Sequence, residues 1–277
     1  MKKLNYLIIS IIAFGLFSCK NTKTKSTITT PTEVQQNDLT IDHLNIWVKH
    51  PQKAKKRLVE LGFTAIPDSL SKVHKGQGTA GKYFYFLNGY LEFIYVYDQK
   101  ELEQNVSKNK DLDFIERSNF DNNNALPFSV ALQLKDYNTK KIPFEKIQYH
   151  QDWMEDDSNI YAAKNSKTNL KEPSIFVVYP VIQYDKFNTL EDLRKIPEEY
   201  ALWRTFYKHE NGVRKITKVI ITSADLDLNS ETIKTVNQIE DVTVKNGSEY
   251  LMELYFDDNK QGKSFDLRPE LPLKIYL

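Results

Sequence analysis

From residue 39 onward, apolar and polar residues alternate with the period of two that marks half-buried strands. Across Ile41–Val48, residues Leu44, Ile46 and Val48 suit a face packed on a helix, while His43, Asn45 and Trp47 point the other way. Pro51 fits the first turn of a helix carrying Ala54, Leu58 and Leu61 on one side, and Gly62 is its natural stop. Phe63–Ala65 is short and extended, and a loop rich in glycine and polar residues covers 67–81. Strands at Lys82–Leu87 and Tyr90–Val96 are joined by Asn88-Gly89, a strong hairpin signal. The order is strand, helix, strand, strand, strand.

A weaker copy follows a polar, charged stretch over 98–124. Pro127–Leu134 alternates as a strand, Tyr137–Lys146 is a short helix candidate bent or cut by Pro143, and extended segments fall near Gln148–Trp153, Asn159–Ala163 and Ser174–Tyr179. A helical connector, Thr189–Lys208, carries Trp203 and Phe206. A third copy runs from strand Ile216–Thr222 through helix Ser230–Gln238 to strands at Asp241–Val244, Tyr250–Phe256 and Ser264–Leu267. Repetition at this length predicts an α+β fold of duplicated βαβββ modules. Two of them, 39–97 and 125–183, share a domain over 39–183; a connector (184–211) leads to the third at 212–277.

The chain has 277 residues, 40% of them hydrophobic, enough for a real core. Lys and Arg total 38 against 37 Asp and Glu, so net charge steers it toward neither nucleic acid nor an anionic surface, and no nucleic-acid partner is expected. A single cysteine excludes an internal disulfide and a thiolate cluster, which makes its position the informative fact. Met1, Lys2 and Lys3 are followed by an apolar run, Leu7–Leu16, and then at once by Phe17-Ser18-Cys19. This layout resembles the lipobox of bacterial lipoproteins. It implies a signal peptide over 1–18, removal of that signal before Cys19, and acylation of the cysteine. Lys20–Asn37 has almost nothing apolar and reads as a flexible tether, giving an anchor-plus-tether segment over 19–38. The expected location is the bacterial envelope, on its periplasmic or surface face, with the lipid as the one membrane contact. Oligomeric state is left open.

Ile41-Asp42-His43-Leu44, Leu61-Gly62-Phe63, His74-Lys75-Gly76-Gln77-Gly78-Thr79-Ala80-Gly81 and Gly89-Tyr90-Leu91-Glu92-Phe93-Ile94 together resemble the first module of a glyoxalase-like domain of the vicinal-oxygen-chelate superfamily. That resemblance implies two modules curling their sheets into a half-open cup, with ligand or metal in the hollow. It also implies metal ligands on the first and fourth strand of each module. His43 and Glu92 stand at such places in the first module; the second offers Ala131 and Ser174–Val178, with no acid. If the third module were the partner, Glu253 would supply a third ligand, but Lys218 would take the fourth place and is a poor one. The incomplete set argues against a resident divalent metal, and no cofactor is predicted.

Without a metal, His43 and Glu92 form an acid/base pair or merely satisfy each other in a polar cup. The loop of His74, Gly76, Gln77, Gly78 and Thr79 either wraps a ligand with its glycine backbone and polar side chains or builds a tight turn. Tyr83, Phe84, Tyr85, Phe86, Tyr90, Tyr95 and Tyr97 divide between core and pocket by alternation. Asp152, Glu155, Asp156 and Asp157 read as a solvated turn, and His150, His209 and Arg204 have no partner visible in sequence. Three functions stay open: a cup binding a small carbonyl-type or anionic molecule and acting as a lyase, isomerase or hydrolase; a non-catalytic envelope lipoprotein that sequesters a ligand; and a structural or interaction protein. Fold alone does not choose among them.

Overall fold

The computed structural model describes residues 38–136, 138–152, 154, 156, 158–179 and 186–277. The signal segment, Cys19 and the tether through residue 37 lie outside the described residues. No helix among the described residues is long and apolar enough to cross a membrane.

In chain order the elements are β1 (Leu39–Trp47), α1 (Pro51–Glu60), β2 (Val73–His74), β3 (Thr79–Phe86), β4 (Gly89–Val96), α2 (Gln99–Lys108), α3 (Phe114–Ser118) and α4 (Phe120–Asn123). There follow β5 (Phe128–Leu134), β6 (Lys146–Tyr149), β7 (Asn159–Ala163) and β8 (Ser174–Tyr179). The last part holds β9 (Ile216–Ser223), α5 (Glu231–Asn237), β10 (Val242–Asn246), β11 (Leu251–Phe256), β12 (Ser264–Asp266) and β13 (Leu273–Tyr276).

β1–β8 form one curled sheet in the order β2-β3-β4-β1-β5-β8-β7-β6. Read outward from the centre, β1-β4-β3-β2 is repeated as β5-β8-β7-β6. The innermost pair of each half, β1 with β4 and β5 with β8, is parallel, and the halves meet at the antiparallel pair β1–β5. The first module therefore pairs with the second. The third builds a five-stranded sheet of its own, β10-β9-β11-β13-β12, with one strand, β13, more than the sequence pattern shows.

Alternation decides what each face of the large sheet meets. Leu44, Ile46, Leu91, Phe93, Val130, Leu132, Ile175 and Val177 point outward into a core shared with Leu58 of α1 and with Ile221, Ile233, Val236 and Leu254 of the third module. Burying a side chain such as Leu58 contributes about 1.5–3 kcal/mol. The helix expected over 137–146 is a single 3₁₀ turn, Thr139–Lys141, with Tyr137 outside the described residues. Pro143 stops propagation, and its neighbours Ile142 and Phe144 go into the same core.

Three other local expectations are corrected. The β3–β4 turn is Leu87-Asn88, because Phe86 pairs with Gly89, one residue earlier than the Asn-Gly signal suggests. Asn88 is held there by tertiary bonds: its side chain donates to the Ile216 carbonyl at 2.7 Å and accepts from the Ile216 amide at 3.0 Å. The polar, charged stretch 98–124, to which the sequence pattern assigns no element, carries helices, with α2 capped by Asp98, whose carboxylate accepts from the Glu101 amide. The connector consists of 3₁₀ segments, Glu191–Lys195 and Glu198–Tyr207, the latter kinked at Tyr200.

Candidate functional site

The inward positions of β1, His43, Asn45 and Trp47, lie in register with Tyr90, Glu92 and Ile94 of β4. Tyr83 and Tyr85 of β3 pair with Glu92 and Tyr90. With inward residues of β5, β7 and β8, these side chains line a cavity of about 120 Å³. His43 and Glu92 thus face one hollow, as the strand alternation predicts. They do not bond to each other.

His43 is buried, and its Nδ1 lies 2.6 Å from Asp42 Oδ1. A carboxylate accepts only, so Nδ1 carries a proton, and the ring it fixes lines the cavity. The ring is fixed by stacking on Tyr90 at 4.2 Å between centroids and by the edge of Phe176 at 5.7 Å. Asp42 is the orienting residue that sequence reasoning missed. It precedes His43 on the strand, where alternation assigns it to the opposite face.

Glu92 is 4% exposed, and its Oε2 accepts from Asn45 Nδ2 at 3.1 Å. Its Oε1 and the Asn45 Oδ1 have no hydrogen-bond partner. His74 Nε2 stands 3.9 Å from Oε1, too far for a hydrogen bond. The Tyr83 hydroxyl lies against the carboxylate, and both border Gly81. Burial first, and the Glu92 charge second, push the Tyr83 phenol well above its ordinary pKa. Tyr90 is raised likewise, by burial and then by Asp42. Both are neutral hydroxyls near neutral pH.

The loop expected to wrap a ligand divides in two. His74 and Gln77 line the cavity. Gln77 Nε2 donates to Thr79 Oγ1 at 2.7 Å, so the Thr79 proton is free for His74 Nδ1 at 2.9 Å. His74 then carries its own proton on Nε2, 3.1 Å from the Tyr83 oxygen. Burial lowers the pKa of His74, which favours this neutral tautomer. Gly76, Gly78 and Thr79, by contrast, are not offered to a ligand. The Gly76 and Gly78 amides donate to the two oxygens of Glu101 at 2.7 and 3.1 Å, and Thr79 is fully buried behind His74. The loop's anion is supplied by α2 itself. Both glycines have positive φ, and a Cβ at Gly78 would lie 2.2 Å from the Leu102 amide nitrogen.

The remaining predicted residues are structural. Glu253 sits in the smaller sheet, accepts from the Tyr276 hydroxyl at 2.8 Å, and is absent from the cavity wall, so it does not join His43 and Glu92 as a metal ligand. Among the described residues no group of three or more His, Cys, Asp and Glu is placed to hold a metal. The second module turns Ser129, Ser174 and Phe176 to the cavity in place of acids or imidazoles. With His74 engaged by Thr79 and Tyr83 and Asp113 by Arg117, His43 and Glu92 do not make up the three or four protein ligands of a resident divalent ion. His209 does have partners: Nδ1 accepts from the Thr64 amide and Nε2 donates to the Tyr85 carbonyl, both at 2.9 Å, tying the connector to the β3 edge.

No curated protein matches the chain. A solved structure titled a hypothetical protein from Staphylococcus aureus matches 86% of this chain and 98% of its own length, with TM-score 0.51 and 14% identity, and shares the fold. Methylmalonyl-CoA epimerase from Mycobacterium tuberculosis aligns over 51% of this chain and 88% of its own (TM-score 0.33, 10% identity). A hypothetical protein from Bacillus halodurans aligns over 53% and 97% (TM-score 0.35, 11% identity). Residues 41–157, from β1 into the second module and including the strands that hold His43 and Glu92, match the family model described as a glyoxalase-like domain.

Proposed function

We propose that the cavity binds a small organic molecule and that His43 moves a proton on it. The carrying observation is the Asp42–His43 contact of 2.6 Å, which orients the imidazole on the cavity wall. A carboxylate in this position also stabilises the imidazolium that forms once the proton is taken. Glu92, on the same face, is the second group able to exchange a proton with the bound molecule. An oriented imidazole and a carboxyl group on the same wall suit an isomerase or lyase that removes a proton and returns it or expels a group.

The test uses the full chain with small molecules that raise its melting temperature. Deuterium incorporation from heavy water into such a molecule, followed by mass spectrometry, reads proton removal directly. Exchange is expected with the natural protein and lost in His43→Ala and Asp42→Asn. Binding without exchange in the natural protein refutes the catalytic part and leaves a sequestering site. The enclosure of the His43 ring by Tyr90 and Phe176 is the observation that favours that second reading.

We propose further that the protein is held at the bacterial envelope by acylation of Cys19. Support comes from the order of positive residues, apolar run, Ser18 and Cys19. Labelled palmitate should enter the natural chain and not Cys19→Ser. Equal labelling of the two would reject the anchor.

A further inference from the structure

We infer that Trp203, carried to the cavity by the connector from outside the two modules, limits the size of the molecule that binds beside His43 and Glu92. The inference rests on the reading of the cavity as a small-molecule site and names the residue that sets what fits there.

The inner face of the large sheet does not stay open over β3. Alternation turns Tyr83, Tyr85 and, just past the strand, Leu87 to that face, where they join Phe187, Leu193 and Tyr207 of the connector in a second apolar core. This core is distinct from the one on the outer face. Hydrogen bonds tie the connector to β3 and its turn on either side of that core. The Phe187 amide donates to the Leu87 carbonyl at 2.7 Å, and His209 Nε2 donates to the Tyr85 carbonyl at 2.9 Å.

Between those ties runs the 3₁₀ segment Glu198–Tyr207, in which residues three apart share a side. Trp203 and Phe206 are such a pair, and their rings meet edge to face with centroids 5.7 Å apart. Phe206 is buried in the second core, and Trp203 also sets its ring against that of Tyr85 at 6.0 Å. Among the described residues of the connector, Trp203 is the one that reaches the cavity wall. With Ile66 and Leu70 it gives the cavity an apolar wall on the β3 side of β1, away from β7 and β8 in the sheet order.

An indole is large, flat and rigid, with only two side-chain torsions, so it makes a firm boundary. This one cannot swing aside without breaking its contacts with Tyr85 and Phe206. The cavity it bounds measures about 120 Å³, slightly less than the roughly 150 Å³ that holds benzene in an apolar protein cavity. One aromatic ring is therefore about the largest rigid body the site takes. Trp203→Ala removes the whole indole, and because the surroundings of a truncated side chain relax only in part, most of that space joins the cavity.

The test titrates the full chain with phenol and 2-naphthol, which share a hydroxyl and differ by one fused ring, by calorimetry at neutral pH. The natural protein is expected to bind phenol at least about tenfold tighter than 2-naphthol, the scale on which a packed wall rejects added carbon. In Trp203→Ala the order should reverse, since the second ring takes the apolar surroundings the indole has left. Trp203→Phe keeps a smaller ring at the same place and should give a ratio between the two. Tyr200→Ala, on the same segment but 56% exposed and off the cavity wall, should keep the ratio of the natural protein. Melting temperatures report whether the variants fold; if Trp203→Ala does not, Trp203→Phe decides. Equal binding of the two probes by the natural protein, or an unchanged ratio in a folded Trp203 variant, overturns the role of Trp203 and leaves a small-molecule site. A ratio in Tyr200→Ala that moves as far as in Trp203→Ala reports a loosened connector and overturns it too. Absence of binding by both probes refutes the size limit and the site together.

Discussion

Arg117 provides a strong test of how the cavity wall is held. Its side chain is fully buried on α3, directly after the wall residues Leu112, Asp113 and Phe114. Nε donates to Asp113 Oδ2 at 2.8 Å, and Nη1 donates to the carbonyls of Leu126, Leu170 and Glu172 at 2.9, 3.1 and 2.8 Å. Nη2 donates to the Ser166 carbonyl at 2.8 Å. One guanidinium thus fastens α3 to the start of β5 and to the loop before β8. Arg117→Met retains most of the volume but orphans the carbonyls of Leu126, Glu172 and Ser166 and one carboxylate, while the Leu170 carbonyl keeps the Leu126 amide at 2.7 Å. Breaking a buried ion pair costs about 3–5 kcal/mol, and each orphaned carbonyl about 1 kcal/mol or more where water cannot reach it. Because the losses overlap, the expected destabilisation is about 5 kcal/mol, a large part of the 5–15 kcal/mol typical of a folded protein. With a urea slope of about 3 kcal/mol/M, the unfolding midpoint should fall by about 1.5 M with the slope unchanged. Arg117→Lys, which keeps the charge and loses the planar fork, should fall between the two. A midpoint within about 0.3 M of the natural protein for Arg117→Met would refute the reasoning. It would show that α3 and the loops do not depend on this side chain.

Further expectations concern pH and backbone. Burial depresses the His209 pKa from 6.5 to about 4, so the unfolded chain binds more protons between those values. Stability from keeping His209 neutral is full above about pH 6.5 and is lost as pH falls toward 4, by about 3 kcal/mol at most. The pH 7.5 to 5 drop in urea midpoint should therefore shrink in His209→Gln; an equal drop in both proteins contradicts it. Gly78→Ala and Gly262→Ala form a matched pair, since both positions have positive φ but only Gly78 has neighbours within 4 Å of an added Cβ. The first should cost about 3 kcal/mol and the second about 1 kcal/mol. Equal melting temperatures for the pair would rule out α2 as the constraint on the loop.

What the sequence disclosed and what it concealed divide along the range of the interactions. β1, β4 and β5 are legible because each presents one face to a core and the other to a cavity, and period two records both. His43 and Glu92 follow from the same alternation. Asp42 is invisible to it: the pattern assigns neighbouring residues to opposite faces, whereas the β1–β5 register shifts between Ile41 and His43, and the short side chain at that irregularity turns to meet the ring beside it. The helices over 98–124 carry few apolar residues, and α2 buries only Leu102 and Asn105. Their signal is the Asp98…Glu101 spacing of a helix N-terminus, not hydrophobic periodicity. The role of Gly76 and Gly78 was hidden for a related reason. Two glycines beside polar residues read the same whether the anion they face is a ligand or, as here, a carboxylate 23 to 25 residues along the chain. The hairpin turn moved by one residue because Asn88 answers to Ile216, a contact 128 positions away that no local rule contains.

The near-symmetry of the large sheet makes its chemical asymmetry informative. Each half contributes a parallel inner pair and an antiparallel outer pair, so equivalent inward positions exist on both sides of the β1–β5 junction. On one side they hold His43, Asn45, Glu92, Tyr83, Tyr85 and Tyr90; on the other they hold Ser129, Tyr149, Ile160, Ala162, Ser174, Phe176 and Val178. A metal-centred cup needs donors from both halves, because three or four ligands must surround one point. A cup with donors on one wall and apolar surface on the other instead suits a molecule with two ends, its polar head against β1 and β4 and its carbon body against β7 and β8. The edge contact of Phe176 with His43 keeps that second wall close to the base. On the proposed function, the second module is the less polar half of the binding site, and the imidazole and carboxyl groups lie in the first.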